Sequence, residues 1–591
     1  MQLVRELRRR RVFRTTALYI VAAWAVLQVS DLAFPAIDIP DEAIRFVWMG
    51  VFLGFPVALL FGWRYQFTVD GIEKTRPLAS GEVAGALSLN ATDFVILAAL
   101  SIVVVAITYG VVREINEADD GVGVSIFGRE ISPHSVAVLP LNNLTGDPEQ
   151  DFFTIGLQEA LIADLSKVSG LHVTSRTSSN TYAGASKSIL EIGMELGVAF
   201  IMEGTVQRAG DQVRIRLQLI DAAADKLLWS ENYDRDVRDI LVLQGEVART
   251  VADQVGVEMT PAETRRLTRT RQVNPEVYEL VLKGMYFVQQ FNPDAIAMGF
   301  DYLNEAISAD PRESLAYAGL ALGYNTIGHG INAHDAFPKA LAAARKALDL
   351  DEYSGEGWAA LAEAQMYYEW DWATAEKSMQ TALQLSPSLE QMHAHYSYLL
   401  LLQGEIDEAI AVSEKARDLS PLDPLWAGFA AWIYMLEGRW AEAILGCNEC
   451  LAYTPGFGFC LYTLAQVYTA QGETELAVDI LESGNRADPF VIWGLAPTYA
   501  MAGRDKDALQ IAAMLDLQHT PRNLMHLSFT YSALGDIDKA IEYLKLAYEA
   551  RADWLPWIAF ENAYGGAVEP MRGDPRFEEL VARFELPMYD R

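Results

Sequence analysis

The stretch Pro387-Ser-Leu-Glu-Gln-Met-His-Ala-His-Tyr-Ser-Tyr-Leu-Leu-Leu-Leu-Gln-Gly404-Glu-Ile-Asp-Glu-Ala409-Ile-Ala-Val-Ser-Glu-Lys-Ala416-Arg-Asp-Leu-Ser-Pro421 decides how the chain folds. Its proline recurs at Pro455 and Pro489, its glycine at Gly438 and Gly472, and its alanine at Ala443 and Ala477, each at an interval of 34 residues. Three residue types in phase at this period specify a solenoid of helix–turn–helix units. The glycine supplies the left-handed cap that ends a first helix. The alanine lets the second helix approach the first, and the proline stops the second helix.

Working outward, Ala375, Ala508 and Ala540 open further second helices, and Tyr434, Tyr468, Tyr499 and Tyr531 take the large position of the first helices. The pattern predicts about eight repeats over residues 274–552, with residues 553–591 as a carboxyl-terminal cap. This region resembles the tetratricopeptide repeat (TPR) family. The resemblance implies a concave groove lined by first helices, where members take peptides. The residues that face it here are Tyr398, Trp432, Met435, Phe459, Tyr462, Trp493, Met525 and Phe529. They read either as a groove for a protein or peptide partner or as packing against adjacent helices or a capping segment. The carboxylate clamp of the chaperone-binding subtype is not expected. Ala394, Tyr398, Gly428 and Trp432 stand where that clamp has Lys and Asn.

Residues 131–258 read as a small α+β domain. Ser135–Leu141 is an apolar strand, and Leu157, Leu161 and Leu165 share one face of a following helix. Val213, Ile215, Leu217 and Leu219 alternate with Arg214, Arg216 and Gln218, so that strand has one buried and one wet face. The stretches Val136-Ala-Val-Leu-Pro140, Asn143-Leu-Thr-Gly-Asp-Pro-Glu149, Arg176-Thr-Ser-Ser179 and Leu228-Trp-Ser-Glu231 resemble the TolB amino-terminal-like (FlgO-like) domain. That domain precedes TPR arrays in bacterial membrane proteins, including fusions to adenylate cyclase or to CadC-type winged-helix domains. The resemblance therefore implies a membrane-anchored relative of those proteins. A cyclase needs metal-binding carboxylates on a domain of its own, and the leading dozen residues supply none, so no activity is carried over.

Three apolar stretches, about 13–34, 44–63 and 93–112, have the length of transmembrane helices. Arg5, Arg8, Arg9, Arg10, Arg11 and Arg14 precede the first; Asp38, Asp41 and Glu42 lie between the first two; Arg64, Lys74 and Arg76 follow the second. This arrangement predicts a multi-pass protein of the bacterial inner membrane. Its amino terminus is cytoplasmic, residues 113–130 form a linker and residues 113–591 are periplasmic. The expected fold is thus multi-domain: three transmembrane helices, a small α+β domain and an all-α TPR solenoid.

The net charge is −33, and −34 of it falls after residue 112, which disfavours nucleic acid as a partner. No catalytic, cofactor-binding or metal framework is legible. The eight histidines are scattered, and His393 and His395 point in different directions on a helix. Cys447 and Cys450 fall on core positions and read as small buried hydrophobes rather than a redox or metal site, although Cys450 and Cys460 admit a disulfide in an oxidising compartment. The expected function is a periplasmic TPR scaffold or sensor for protein–protein interaction. The alternatives are a signalling relative of the cyclase group without its own catalytic domain, or an envelope transport accessory.

Overall fold

The computed structural model describes residues 65–68, 71–74, 131–147, 150–268, 274–290 and 292–589. The chain divides into two units, Met1–Gly121 and Val122–Arg591. In the first, β1 (Tyr65–Thr68) and β2 (Gly71–Lys74) form an antiparallel hairpin with Tyr65 opposite Lys74.

The expectation of three transmembrane helices, and with it the multi-pass inner-membrane, periplasmic placement, is corrected. Among the described residues no helix is long and apolar enough to cross a membrane. The longest, Ala333–Leu350, is interrupted by Asp335, Lys339, Arg345, Lys346 and Asp349, because only one of its faces packs inward. The stretches 13–34, 44–63 and 93–112 lie outside the described residues. What is described is a helical repeat array joined to a small sheet domain.

The sheet domain opens the second unit. Its strands are β3 (Ser132–Val138), β4 (Asn142–Asn143), β5 (His172–Val173), β6 (Val198–Ala209), β7 (Gln212–Asp221) and β8 (Lys226–Asp236). They run in the order β5-β3-β6-β7-β8, with β4 paired to β6. The pairs from β5 to β6 are parallel, and β6 to β8 form an antiparallel meander. The alternation in β7 has the expected result: Val213, Ile215, Leu217 and Leu219 are buried, while Arg214 and Arg216 are exposed. Two helices, α1 (Asp151–Leu165) and α4 (Ile240–Gln254), bury Leu157, Leu161, Leu243 and Val247 against that apolar face. Between β5 and β6 lie α2 (Arg176–Asn180) and α3 (Ile189–Leu196). Ile192 and Leu196 of α3 cover the opposite face at Ala137 and Ile201. A short α5 (Pro261–Leu267), opened by a Thr260–Glu263 capping box, leads out of the domain.

Eight helical hairpins follow. They are α6 (Pro275–Val288) with α7 (Pro293–Ala309), α8 (Ser314–Gly328) with α9 (Ala333–Leu350), α10 (Gly355–Ala364) with α11 (Trp372–Leu385), and α12 (Glu390–Leu402) with α13 (Ile406–Leu419). The remaining four are α14 (Pro424–Leu436) with α15 (Trp440–Tyr453), α16 (Gly458–Ala470) with α17 (Thr474–Glu482), α18 (Pro489–Met501) with α19 (Asp505–Leu515), and α20 (Pro521–Ala533) with α21 (Ile537–Glu549). The even-numbered helices are the first helices of the repeats.

The repeat signature acts as its chemistry requires. Gly404, Gly438 and Gly472 have φ of +77°, +70° and +84°, the left-handed conformation that closes a first helix. Ala375, Ala409, Ala443, Ala477, Ala508 and Ala540 have no exposed surface, since any larger side chain would separate the paired helices. Pro387, Pro421 and Pro455 lie two residues beyond a second helix, whereas Pro489 is the first residue of α18, α17 having ended at Glu482. One position breaks the glycine rule. Trp370, one period before Gly404, holds φ +57°, a conformation that costs a non-glycine residue about 1–2 kcal/mol. The Arg551 guanidinium 4.0 Å from its ring and the edge-on ring of Phe584 at 5.0 Å hold it there.

Beyond α21 the chain forms short 3₁₀ turns at Leu555–Ala559, Ala563–Gly566 and Glu569–Met571, then α22 (Pro575–Ala582). One apolar core runs without interruption from Val277 through the hairpins to Leu586.

Candidate functional site

The face presented by the first helices is occupied by the chain's own residues 553–571. All eight residues expected to line the groove are buried, none exposing more than the 9% of Trp493. Five of them meet the carboxyl-terminal segment. The Trp554 ring stacks on Trp432 at 5.8 Å and meets Phe459 at 5.5 Å. The Trp557 ring stands against Tyr398 at 5.7 Å and Trp432 at 6.1 Å. The Tyr564 ring stacks on Phe529 at 4.3 Å, and its hydroxyl lies 4.0 Å from the Met525 sulfur. The other three lie deeper in the array. Tyr462 donates to His526 Nε2 at 3.0 Å, Trp493 stacks on the same imidazole at 5.1 Å, and Met435 is wholly enclosed. Burial lowers His526 to about 3, so it is neutral, with Nδ1–H donated to the Arg522 carbonyl.

Backbone contacts fix the segment's course. Asn562 Nδ2 donates to the Leu436 carbonyl, satisfying an end group of α14. Tyr564 donates to the Trp554 carbonyl, and Arg572 donates to the carbonyls of Ile558 and Phe560. Trp372 Nε1 donates to the Phe584 carbonyl, tying the chain just beyond α22 to α11.

The start of the segment is held by charge. Asp553, 2% exposed, accepts from Arg522 Nε at 3.0 Å and Nη2 at 2.6 Å, and from His329 Nδ1 at 2.8 Å. His329 Nε2 donates to Glu363 at 2.7 Å, and Asn325 also donates to that carboxylate. Burial alone would lower His329, but the hydrogen bonds to Asp553 and Glu363 carry it up to about 9, making it an imidazolium. Burial would raise Asp553, yet the Arg522 charge and the His329 hydrogen bond hold it at about 2. Two cations and two carboxylates thus compensate one another, His329 just past the end of α8, Glu363 on α10, Arg522 on α20 and Asp553 on the segment. No sequence motif pointed to these residues.

The seat of Trp557 is imperfect. Tyr398 Oη, Trp432 Nε1 and Trp557 Nε1 are buried without a hydrogen-bond partner. An unpaired buried polar atom costs about 1–3 kcal/mol.

A second feature joins the sheet domain to the array. Ser175 N donates to the Leu419 carbonyl at 2.8 Å, Ser175 Oγ and Ser420 Oγ lie 2.6 Å apart, and Leu422 N donates to Ser178 Oγ at 3.0 Å. Ser388 Oγ donates to the Leu171 carbonyl and accepts from Val173 N, covering the edge strand β5. The sequence motif Arg176–Ser179 therefore sits at a domain junction. Beside it opens a cleft of about 330 Å³ lined by His172, Glu195, Ser388, Lys415 and Asp418. Burial and the neighbouring Lys415 ammonium lower His172 to about 4; it donates Nε2–H to the Asp418 carbonyl and accepts at Nδ1 from Lys415.

Cys447, Cys450 and Cys460 are free thiols buried together among Ala427, Ala431 and Leu464. Their contacts with one another push the Cys450 and Cys460 thiols up, Cys450 chiefly through Cys460 and Cys460 chiefly through Cys447. Among the described residues no group of three His, Cys, Asp or Glu is placed to hold a metal ion.

Comparison with known proteins follows this division. Residues 521–553, the last hairpin up to Asp553, match the tetratricopeptide repeat model. Residues 132–250 match the HilA/YgeH-like transcriptional regulator, second domain; that likeness replaces the TolB-type one read from the short motifs. A curated relative, "Putative adenylate cyclase 3" of Rhizobium meliloti (strain 1021), is 37% identical over 234 residues, which is 39% of this chain. The chain spans 40% of that relative's length. Among solved structures, a human IFIT1 dimer with m7Gppp-AAAA is 16% identical over 53% of this chain and 81% of its own, with a TM-score of 0.35. YrrB, described as a TPR protein with an unusual peptide-binding site, is 17% identical over 32% of this chain and 94% of its own, with a TM-score of 0.24.

Proposed function

We propose that this chain is a protein-interaction scaffold that works by contact and not by chemistry, and that the first-helix face of its array is a seat for a peptide segment. Tyr398, Trp432, Met435, Phe459, Tyr462, Trp493, Met525 and Phe529 form and support the seat. The observation that carries the reading is that this face already holds an irregular segment, residues 553–571, through stacked rings and one anchored carboxylate. The segment is not a ninth hairpin continuing the stack. It touches seven of the eight repeats, from His329 to Phe529, lying along the face as a bound peptide does.

The test is hydrogen exchange across the whole chain, followed by mass spectrometry. If the face is a seat, amides of 553–571 open together and exchange before those of α14 and α16. If the segment is protected to the same limit as those helices, it is fixed core and the seat reading falls.

A second reading rests on the relative from Rhizobium meliloti. The 37% identity over 234 residues favours a role as an accessory part in cyclase-type signalling. Cyclic-nucleotide levels measured with and without this chain beside a cyclase test it, and unchanged levels count against it.

A further inference from the structure

We infer that the seat selects a peptide carrying an aspartate, a tryptophan directly after it and a second aromatic residue three positions further on, the order Asp553-Trp554-x-x-Trp557. The inference rests on the seat reading above and names its ligand. Three separate subsites correspond to the three residues. The Asp subsite is the buried pair Arg522 and His329, presenting donors at 2.6–3.0 Å on two sides of one carboxylate. Glu363 holds His329 in its doubly protonated form, so this subsite favours a full negative charge.

The first Trp subsite is a box of Phe429, Trp432, Phe459 and Phe490, all within 5.9 Å of the indole, with the Arg522 guanidinium 4.5 Å from the Trp554 ring. Arg522 therefore reads two adjacent residues at once, the carboxylate by a fork of hydrogen bonds and the indole by its π face. A phenyl ring or an aliphatic chain in that box would lose the larger face that the guanidinium covers. The second aromatic subsite lies between Tyr367, Tyr398 and Trp432, at 5.7–6.1 Å from the Trp557 ring. Its Tyr398 hydroxyl and Trp432 N–H have no acceptor while Trp557 fills it. The internal segment therefore leaves part of this subsite unused, and a competing segment loses nothing there.

Exchange is controlled by the tether. A covalently attached segment has an effective concentration in the millimolar range, so a free peptide of equal intrinsic affinity competes poorly with it. Weakening the internal Asp553 contact, or cutting the tether, removes that advantage.

The experiment uses the full chain and a fluorescein-labelled synthetic peptide of residues 551–572. In anisotropy titrations, Asp553→Asn chain is expected to take up the peptide saturably, at least about tenfold more tightly than the unaltered chain. Peptides carrying Asp553→Asn or Trp554→Ala are expected to bind that chain at least about tenfold more weakly than the unaltered peptide, the scale of one lost anchor. Should Asp553→Asn chain fail to fold, a chain with a protease site inserted after Ala550 serves instead. Once its circular dichroism matches that of the unaltered chain, the labelled peptide should exchange into it after cleavage. No uptake in either case overturns the inference. Equal uptake of the altered peptides also overturns it, while leaving the seat itself standing if hydrogen exchange shows the segment opening. A segment that never opens removes the seat reading, and this inference with it.

Discussion

Replacing Asp553 by Asn should be among the most damaging single-atom changes in this chain. Its carboxylate is 2% exposed and compensates Arg522, whose side chain is 13% exposed, and His329, at 20%. The amide keeps the shape but leaves one cation of the buried quartet without its partner. Breaking a buried pair from one side costs about 3–5 kcal/mol. The exposed pair Arg214–Asp234, at 64% and 66%, provides the contrast within the same molecule. Screening by water limits that pair to about 0.2–1 kcal/mol, so Asp234→Asn should scarcely register. Urea unfolding followed by tryptophan fluorescence and circular dichroism measures both. A double-mutant cycle with Arg522→Met should return a coupling of at least about 2 kcal/mol. If Asp553→Asn and Asp234→Asn shift the transition equally, the quartet does not hold the segment and the reasoning fails.

Further outcomes follow from the same contacts. His329 is raised in the folded chain to about 9 from an ordinary value near 6.5. Its contribution is therefore complete below about pH 6.5 and is lost as pH climbs to about 9; urea midpoints measured across that range should fall, and His329→Gln should flatten the fall. Gly472→Ala forces φ +84° on a residue with a Cβ, though nothing lies within 4 Å of the added atom. It should cost about 1 kcal/mol from backbone strain alone, and a neutral result by thermal melting would contradict the cap assignment. A thiol reagent should titrate none of Cys447, Cys450 and Cys460 in the folded chain and all three after denaturation, with no change on prior reduction. Ser420→Ala removes the hydroxyl shared by Ser175 and Ser178 and should cost about 1–3 kcal/mol at the domain junction, seen as earlier proteolysis between the sheet domain and the array.

The repeats were legible because their causes are local and recur. A left-handed glycine, a small alanine and a stopping proline each act within one hairpin, so their period shows in the sequence. The meander was legible for a similar reason, through the alternation at Val213–Leu219. The position of residues 553–571 was not. Trp554 meets Phe429, Trp432, Phe459 and Phe490 across gaps of 64 to 125 residues, and such pairing leaves no periodic trace. The aromatic residues of the first helices were recognised as a convergent set, but sequence cannot say whether such a set faces a partner or its own chain. The membrane reading failed differently. It rested on apolar length and on the charges flanking 13–34, 44–63 and 93–112, stretches outside the described residues, and among the described residues no helix is long and apolar enough to cross a membrane.

The order of synthesis gives the filled face a final meaning. Residues 553–589 leave the ribosome after every hairpin has emerged, so the repeats can stack while their row of indoles and phenyl rings is still wet. Each nascent molecule therefore passes through a sticky interval that ends only when its own tail arrives. A nonsense change just past Ala552 would make that interval permanent, and the product should be recovered with chaperones or in the pellet rather than as dispersed protein.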